Sequence, residues 1–257
     1  MKTNGRLKEH SLFQWTCVYA ASPWCSSPWK RGCDILGALL LLIVCLPIMI
    51  TVALGVKLTS RGPVFFRQGR PGKNGREFSI LKFRTMRDSR HHPGSAITLP
   101  YDPRVTLFGR FMRKWKLDEL PQLLNVLRGD MSLVGPRPLP TSHWRQPFAQ
   151  EEASCVLSVR PGITSQATLR FRNEEELLAP FSGEELEEVY MRAFMPVKLK
   201  IEFEYLQNAS FTSDLSIVLK TAFRIFDRQE EGTDFVIREY VLDRVQRCQT
   251  VGQTDGA

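Results

Sequence analysis

The sequence predicts a mixed, helix-rich α/β fold: a small membrane-seated domain with one N-terminal hydrophobic helix and further amphipathic helices at the interface. Three observations support this prediction. An uncharged run covers residues 35–56, strand-like segments cover residues 63–70 and 77–83, and apolar residues recur at helical spacing further along the chain. With 257 residues, the chain suits one compact domain with attachments better than two full domains.

Composition excludes several classes of protein. Hydrophobic residues make up 43% and charged residues 24% of the chain, which excludes disorder throughout and collagen-like repetition. The mean hydropathy of -0.20 excludes a membrane protein with many spanning helices. The 6 cysteines include no CxxC pair, and Cys45 lies inside the apolar run. We therefore expect no disulfide framework and a reducing environment.

Positive charge is concentrated in one part of the chain. The net charges of residues 1–56, 57–140 and 141–257 are +3, +11 and -6. The basic block directly follows the apolar run, where it would meet anionic lipid headgroups or bind a phosphorylated ligand. Nucleic acid is not an expected partner, because the sequence has no zinc-finger spacing, basic leucine zipper or aromatic RNA-binding signature.

The uncharged run from Ile35 to Val56 is long enough to cross a hydrocarbon core of about 30 Å as one helix. Pro47 lies near its middle, where a proline removes a backbone hydrogen bond and tends to kink a helix. Two interpretations are open: a kinked spanning helix, or a broken re-entrant hairpin that enters and leaves by the same face. Periodicity alone favours the spanning helix, and basic residues on both flanks give no orientation.

Local patterns predict the elements that follow. The segments at 63–70 and 77–83 predict two strands around a turn, and residues 84–103 predict a loop. Apolar residues at helical spacing from Thr106 to Lys116 predict an amphipathic helix at an interface. Residues 214–227 predict a further helix, either packed in the core or lying among lipid headgroups.

The segment at residues 116–138 is the most informative. Asp118 is predicted to be the N-cap of a helix that ends at Gly129. The predicted buried stripe of this helix is Leu120, Leu123, Leu124 and Leu127. Asp118 and Glu119 form a carboxylate pair among basic side chains, in a place that favours phosphate. An aspartate can attack phosphorus and an adjacent glutamate can share a magnesium ion, although a plain capping aspartate is the alternative interpretation.

Five motifs in a fixed order carry a resemblance to a known family. They are KRGCDILGALLLLIVCLPIMI, GPVFFRQGRPG, LKFRTM, DPRVTLFGRFMRKWKLDELPQLLNVLRGDMSLVGPRPL and VRPGIT. Together, from about residue 30 to about residue 226, they resemble the bacterial sugar transferase family, the monotopic polyprenol-phosphate phosphoglycosyl transferases. The chain departs from the family pattern at Leu46-Pro47, where Ser-Pro is usual, and at residues 165–168, where Gly-Trp-Ala-Gln is common.

The resemblance implies a membrane-bound enzyme that moves a sugar-1-phosphate from a UDP-sugar to polyprenol (undecaprenyl) phosphate. UMP would be released, and the lipid-linked sugar would start bacterial glycan assembly. The expected location is the bacterial cytoplasmic (inner) membrane, with the catalytic domain on the cytosolic face. The expected organisation is a lead-in (1–29), an anchor helix (30–57), a catalytic domain (58–227) and a tail (228–257) to which we assign no function.

The resemblance also implies roles for individual residues. Asp118 is expected to be the covalent nucleophile, and Glu119 is expected to assist a magnesium ion, the expected cofactor. The predicted substrate-binding residues are Lys82, Arg84, Arg113, Arg137 and Arg172. Pro47 is the predicted break in the membrane helix, and Asp130 ranks below Glu119 as a metal ligand.

Two alternatives remain open from the residues alone. Lys82 and Arg84 alternate with apolar neighbours, which is also typical of the exposed face of a strand. For the whole protein, the alternative function is a non-catalytic membrane-anchored adaptor whose basic block binds anionic lipid or polyphosphate. The sequence names neither the sugar nor the oligomeric state.

Overall fold

The computed structural model describes residues 21–87, 102–139, 150–171 and 174–226, together with Val245. Within these residues the fold is mixed and helix-rich with one N-terminal apolar helix, as the sequence predicts. The predicted site residue Arg172 lies outside the described residues. Most of the lead-in and, apart from Val245, the tail lie outside them as well.

The elements in chain order are as follows. The helices are α1 (Pro23–Ser26), α2 (Pro28–Thr59), α3 (Leu107–Lys114), α4 (Gln122–Arg128), α5 (Gln150–Ser158), α6 (Gln166–Arg170), α7 (Glu174–Leu178), α8 (Gly183–Val189), α9 (Met195–Asn208) and α10 (Phe211–Phe226). The strands are β1 (Phe65–Pro71), β2 (Glu77–Phe83), β3 (Ser132–Val134) and β4 (Gly162–Thr164). A π-helical turn, Tyr190–Phe194, joins α8 directly to α9.

The long helix α2 contains the predicted anchor of residues 30–57 and extends slightly beyond both of its ends. Its length and composition would allow it to cross a membrane. The Ser27 hydroxyl caps its start by accepting from the Lys30 amide at 3.0 Å. Helical structure continues through Pro47, the residue predicted to break the membrane helix. A proline removes one hydrogen bond, and packing of α2 on both sides of Pro47 offsets that loss.

One face of α2 packs against the rest of the protein along most of its length. Its buried residues are Lys30, Asp34, Ala38, Met49, Val52 and Val56. A Cβ atom at Gly37 would collide with Leu133, and one at Gly55 would collide with the ring of Phe108. The large apolar residues exposed on α2 include Leu36, Leu40, Ile43, Val44, Ile50, Leu54 and Leu58. The helix is therefore fixed to the same domain on both sides of Pro47 and presents an apolar outer surface.

The hairpin of β1 and β2 confirms the two strands predicted around a turn. The strands pair antiparallel, from Phe65 opposite Phe83 to Pro71 opposite Glu77. In the turn, Asn74 and Gly75 have positive φ angles of 57° and 71°, a conformation that asparagine and glycine adopt more readily than other residues. The hairpin brings the end of β2, which carries Lys82, against the helices that hold the candidate site.

The amphipathic helix predicted from Thr106 onwards is confirmed as α3. The Thr106 side chain caps it by accepting from the Gly109 amide at 2.9 Å. Met112 is fully buried, whereas Leu107 is 83% and Phe111 is 50% exposed. The exposed apolar side chains suit a helix at an interface.

The second half of the protein forms the largest hydrophobic cluster, built mainly from α5 to α9 and the π-helical turn. The parallel pair β3 and β4 borders this cluster, with Ser132 opposite Gly162 and Val134 opposite Thr164. The sequence did not predict these strands, because each has only 3 residues. The helix α10 buries Ile217 and exposes a stripe of apolar side chains on its other side. The stripe consists of Phe211, Leu215, Leu219 and Phe223.

Candidate active site

The candidate site is built around the segment that carries Asp118 and Glu119. These two residues lie in a 3₁₀ turn, Leu117–Glu119, that precedes α4. The turn follows Lys116, whose φ of 54° is left-handed, and α4 ends at Gly129, whose φ of 94° confirms the predicted stop. Both carboxylates are buried, since Asp118 is 7% and Glu119 is 9% exposed.

Two details of this segment differ from the prediction. Asp118 is not the N-cap of α4, because the 3₁₀ turn continues through residues with helical angles and α4 begins only after Pro121, with no side-chain cap. The predicted leucine stripe is also wrong in part: Leu123 is buried, but Leu120, Leu124 and Leu127 are only half-buried. The buried residues of α4 are Gln122, Leu123, Asn125 and Val126. Asp118 is thus freed from a capping role.

Asn125 explains why a polar residue occupies the buried face of α4. Its Oδ1 accepts from the Leu81 amide at 3.0 Å, and its Nδ2 donates to the Ser79 carbonyl at 2.8 Å. These bonds fix α4 to β2, next to Lys82. Nδ2 also lies 3.1 Å from Asp130, so Asp130 takes part in this local network. A buried amide that makes all these bonds fixes the position of α4, and with it the carboxylate pair, relative to β2.

Glu119 is the centre of an ionic cluster. Its Oε1 lies 2.8 Å from Lys82 Nζ and 2.6 Å from Arg137 Nη2, and its Oε2 lies 3.4 Å from Arg137 Nη1. Burial alone would raise the pKa of Glu119. Three nearby cations, Arg137, Lys82 and Lys116, outweigh burial and hold this pKa well below its usual range. Glu119 is therefore ionised and joins two predicted substrate-binding residues.

Asp118 has a different environment from its neighbour. Its Oδ1 is buried and has no hydrogen-bond partner among the described residues. Burial raises the pKa of Asp118, and the negative charge of Glu119 raises it further, while nearby basic residues act in the opposite direction. An oxygen that no donor engages keeps its lone pairs available to a substrate.

The other predicted binding residues are placed as follows. Arg113, on α3, donates from Nε to the Thr85 hydroxyl at 3.0 Å, and its charge lowers the pKa of Asp118. Arg84 donates from Nη2 to the carbonyl and hydroxyl of Ser60 at 2.8 and 2.9 Å, just beyond the end of α2. The structure therefore brings Lys82, Arg113 and Arg137 to the carboxylate pair and directs Arg84 toward α2.

The loop that carries Arg137 is fixed by the start of α2. Lys30 donates to the Val134 carbonyl at 3.0 Å and forms a salt bridge with Asp214 of α10 at 2.6 Å. Asp34 accepts from the Leu133 amide at 2.9 Å and from the Ser132 hydroxyl at 2.7 Å. Two charged side chains of the apolar helix thus hold β3, which leads directly into the loop bearing Arg137.

Two further groups near the site were missed by sequence reasoning. Glu202 of α9 is buried, and neither of its oxygens has a hydrogen bond of good geometry among the described residues. Burial raises its pKa to about 7, although the nearby Ser165 hydroxyl and the backbone of Arg137 offset part of this effect. Arg70 of β1 contacts the Pro138 carbonyl at 3.3 Å. No pattern singles out Glu202, whereas Arg70 lies in a motif, GPVFFRQGRPG, that carries the family resemblance.

A comparison with protein families decides which family this is. The model of the bacterial sugar transferase family matches residues 25–228, most of the chain. The chain belongs to this family. The match contains α2, the hairpin, the carboxylate pair and all the basic residues described above, so the candidate site is the polar centre of a sugar transferase.

Curated relatives of this sugar transferase bear specific names. The UDP-glucose:undecaprenyl-phosphate glucose-1-phosphate transferase of Caulobacter vibrioides is 42% identical over 193 residues, which cover 75% of this chain and 67% of the relative. The protein of the same name in Escherichia coli is 38% identical over 77% of this chain and 40% of its own length. The UDP-N-acetylgalactosamine-undecaprenyl-phosphate N-acetylgalactosaminephosphotransferase of Aeromonas hydrophila is 37% identical over 75% and 42%. This sugar transferase thus spans less than half of the last two relatives.

Proposed function

We propose that this chain is a phosphoglycosyl transferase that moves a sugar-1-phosphate from a UDP-sugar to polyprenol (undecaprenyl) phosphate. The products are polyprenol-diphosphate sugar and UMP, and the reaction is the first membrane step of a bacterial glycan. The names of the relatives support these donor and acceptor classes but differ in the sugar, which we leave open. The observation that carries the proposal is a buried Asp118 with an unengaged oxygen beside Glu119, itself held by Lys82 and Arg137.

Asp118 is the proposed nucleophile. One of its carboxylate oxygens attacks the phosphorus that bears the sugar, and the bond from that phosphorus to the bridging oxygen breaks, so that UMP leaves with the bonding electrons. An acyl phosphate then links the sugar phosphate to Asp118. An oxygen of polyprenol phosphate attacks the same phosphorus, forms the diphosphate and restores the carboxylate. Because Asp118 Oδ1 has no partner among the described residues, no hydrogen bond there has to break before attack.

The basic side chains around the carboxylates are proposed to hold the diphosphate. Lys82 and Arg137 reach Glu119 from two different elements, so they line the same small space. Arg113 approaches Asp118 from α3, which also exposes the apolar side chains of Leu107 and Phe111. Cations fixed in a buried site stabilise the negative charge that develops on the phosphate oxygens during transfer.

Magnesium is the proposed cofactor, with Glu119 as its protein ligand. The site fits such an ion, because magnesium is commonly held by one or two carboxylates together with substrate phosphates. Oε2 of Glu119 is the less engaged oxygen, at 3.4 Å from Arg137, and no group of three potential ligands occurs among the described residues. Substrate phosphates and water would therefore supply the other ligands. When bound, the ion withdraws electron density from the diphosphate.

Membrane attachment is assigned to α2 and to the apolar surfaces next to it. The large exposed side chains of α2 between Leu36 and Leu54 are apolar, α3 exposes Leu107 and Phe111, and α10 carries its apolar stripe. We place the domain on the cytosolic side, where the nucleotide sugar donor is found. Because α2 packs against this domain both before and after Pro47, the proposal puts both ends of α2 on that side.

The proposed topology predicts that both ends of α2 react with a membrane-impermeant thiol reagent from the cytosolic side alone. The test uses Ser26→Cys and Arg61→Cys, one at a time in a cysteine-free background, because both residues are exposed and flank α2. Inverted membrane vesicles should label both variants, and intact spheroplasts should label neither until they are lysed. Labelling of the two positions from opposite sides would show that α2 spans the membrane.

The proposed reaction is tested by product identity. Full-length protein in lipid nanodiscs is given polyprenol phosphate, magnesium and a panel of UDP-sugars, and released nucleotides are separated by chromatography. We expect UMP from at least one donor, because the phosphate next to the sugar is transferred. Release of UDP would indicate transfer of a bare sugar, and no release from any donor would favour the adaptor that binds anionic lipid or polyphosphate.

A further inference from the structure

Arg70 contacts the candidate site but has no role in the mechanism above. It lies near the end of β1, and its Nη1 donates to the Pro138 carbonyl at 3.3 Å. Its Nη2 donates to Gln68 Oε1 at 2.7 Å. Pro138 directly follows Arg137 in the chain, so Arg70 touches the loop that supplies one of the cations around Glu119.

The charge of Arg70 has no carboxylate contact among the described residues. Its Nε is buried and has no hydrogen-bond partner there. Glu119 attracts it from a distance, but both Glu119 oxygens already contact Arg137, and one contacts Lys82. Burial, and then the like charge of Arg137, lowers the pKa of Arg70 to about 10. Lys82, Arg137 and Arg70 thus outnumber the carboxylates of Asp118 and Glu119, because Glu174, which also attracts Arg137, is paired with Lys198.

An excess of positive charge in a partly buried site is unfavourable unless an anion balances it. A bound phosphate would supply the balancing negative charge, and a guanidinium presents a planar set of donors that matches phosphate oxygens. We infer that Arg70 is a phosphate-binding residue that, together with Arg137, holds the nucleotide phosphate of the donor, the one that leaves as UMP. This inference rests on the proposed function and adds a residue to its donor site.

The position of Arg70 favours the nucleotide phosphate over the acceptor phosphate, although their chemistry is shared. Arg70 faces the loop at Pro138 and lies near Tyr190 of the π-helical turn. Polyprenol phosphate arrives from lipid, so its phosphate is expected beside α3, which exposes apolar side chains and carries Arg113. Arg70 lies on a different element, β1, and contacts the loop after β3 rather than α3.

The inference also gives Arg70 a share in catalysis. The bond that breaks joins the sugar-bearing phosphorus to the bridging oxygen. That oxygen leaves with UMP, so the UMP phosphate gains negative charge. A guanidinium held against that phosphate binds the leaving group more tightly as the bond breaks. Loss of Arg70 is therefore expected to slow the first half-reaction, in which UMP is released, as well as to weaken donor binding.

The test compares Arg70→Gln with Arg67→Gln, a matched control at an exposed arginine of the same strand. With full-length protein in nanodiscs, the readouts are the KM for the UDP-sugar, the inhibition constant of UMP, the KM for polyprenol phosphate and the rate of UMP release without acceptor. We expect Arg70→Gln to raise the donor KM and the UMP constant about 10- to 100-fold, as loss of a charged hydrogen bond does. Because the acceptor oxygen attacks the same phosphorus from the side that UMP left, the acceptor KM should rise less than the donor KM, and Arg67→Gln should behave as the unmodified protein.

Each other outcome has a definite meaning. A rise in the acceptor KM alone would assign Arg70 to polyprenol phosphate and overturn the inference. An equal loss for both substrates, with a lower Tm and no recovery in Arg70→Lys, would show that Arg70 only supports the loop at Pro138. Unchanged kinetics in Arg70→Gln would also overturn the inference. If the unmodified protein itself releases no UMP, the proposed function fails rather than the role of Arg70.

Discussion

Replacing Asp118 with asparagine is expected to reduce turnover by about 10³-fold or more, because the amide cannot form an acyl phosphate. The substitution keeps the size of the side chain, so the 3₁₀ turn and the contacts of Glu119 should persist. In the unmodified protein, incubation with magnesium and UDP-sugar but no acceptor should release about one UMP per protein and add the mass of the phosphosugar. Asp118→Asn should do neither, as measured by nucleotide chromatography and intact-protein mass spectrometry.

The control for this prediction is Glu184→Gln, which changes an exposed carboxylate at the start of α8. This variant should retain both the mass increase and full turnover, since surface substitutions of this kind have small effects. Steady-state kinetics with both substrates should show a ping-pong pattern for the unmodified protein. Turnover by Asp118→Asn near the normal rate would exclude the covalent mechanism, as would an unchanged mass with a donor that reacts when acceptor is present.

Removal of magnesium is expected to have the second large effect. Excess chelator should abolish turnover, and added magnesium should restore it, because the diphosphate needs a divalent ion to offset its charge. Glu119→Gln should raise the magnesium concentration for half-maximal activity by about 10-fold or more, since a neutral amide is a weaker ligand than a carboxylate. The measurement is a magnesium titration of UMP release at saturating substrates.

The position of Glu119 in the ionic cluster makes this titration informative in a second way. Glu119 holds Lys82 at 2.8 Å and Arg137 at 2.6 Å, so its loss also releases two cations. If Glu119→Gln lowers kcat without any change in the magnesium titration, Glu119 positions these cations and is not the metal ligand. Full activity of the unmodified protein in excess chelator would remove magnesium from the mechanism altogether.

The parts of the fold that the sequence predicted correctly are those that depend on neighbours in the chain. The hairpin follows from two β-rich segments around a turn, α3 follows from helical spacing after Thr106, and the end of α4 follows from Gly129. Each of these signals is local, because capping residues, glycines and periodicity act within a few residues. The existence of the long apolar helix was equally clear from its composition.

The features that the sequence did not predict depend on contacts between distant residues. The strands β3 and β4 are too short for a pattern and exist because they pair with each other across 30 residues, as Ser132 does with Gly162. The polar buried face of α4 is explained only by the bonds of Asn125 to β2. The position of Asp118 before a helix predicts an N-cap, because aspartate is among the residues preferred there, whereas the fold places it in a 3₁₀ turn.

The candidate site lies between these two cases. The resemblance to a family implies roles for Asp118, Glu119 and Arg137, whereas composition and spacing alone leave a capping aspartate as an alternative interpretation. What the sequence could not give is the arrangement in which Lys82 and Arg137, from elements far apart in the chain, meet at Glu119. That arrangement depends on the folded structure. Because Glu119 already contacts Lys82 and Arg137, it also leaves Arg70 without a carboxylate contact among the described residues.

The buried face of α2 has a practical consequence for anyone who prepares this protein. Ala38 completes one hydrophobic cluster with Leu123 and Met131, and Val52 and Val56 complete another with Phe83. Lys30 and Asp34 additionally brace β3. Removing α2 to obtain a water-soluble fragment would therefore expose two hydrophobic clusters and remove the contacts that hold β3, the strand before Arg137. The long apolar helix and the folded domain form one unit, so we expect only the intact protein, prepared in detergent or lipid, to keep its fold.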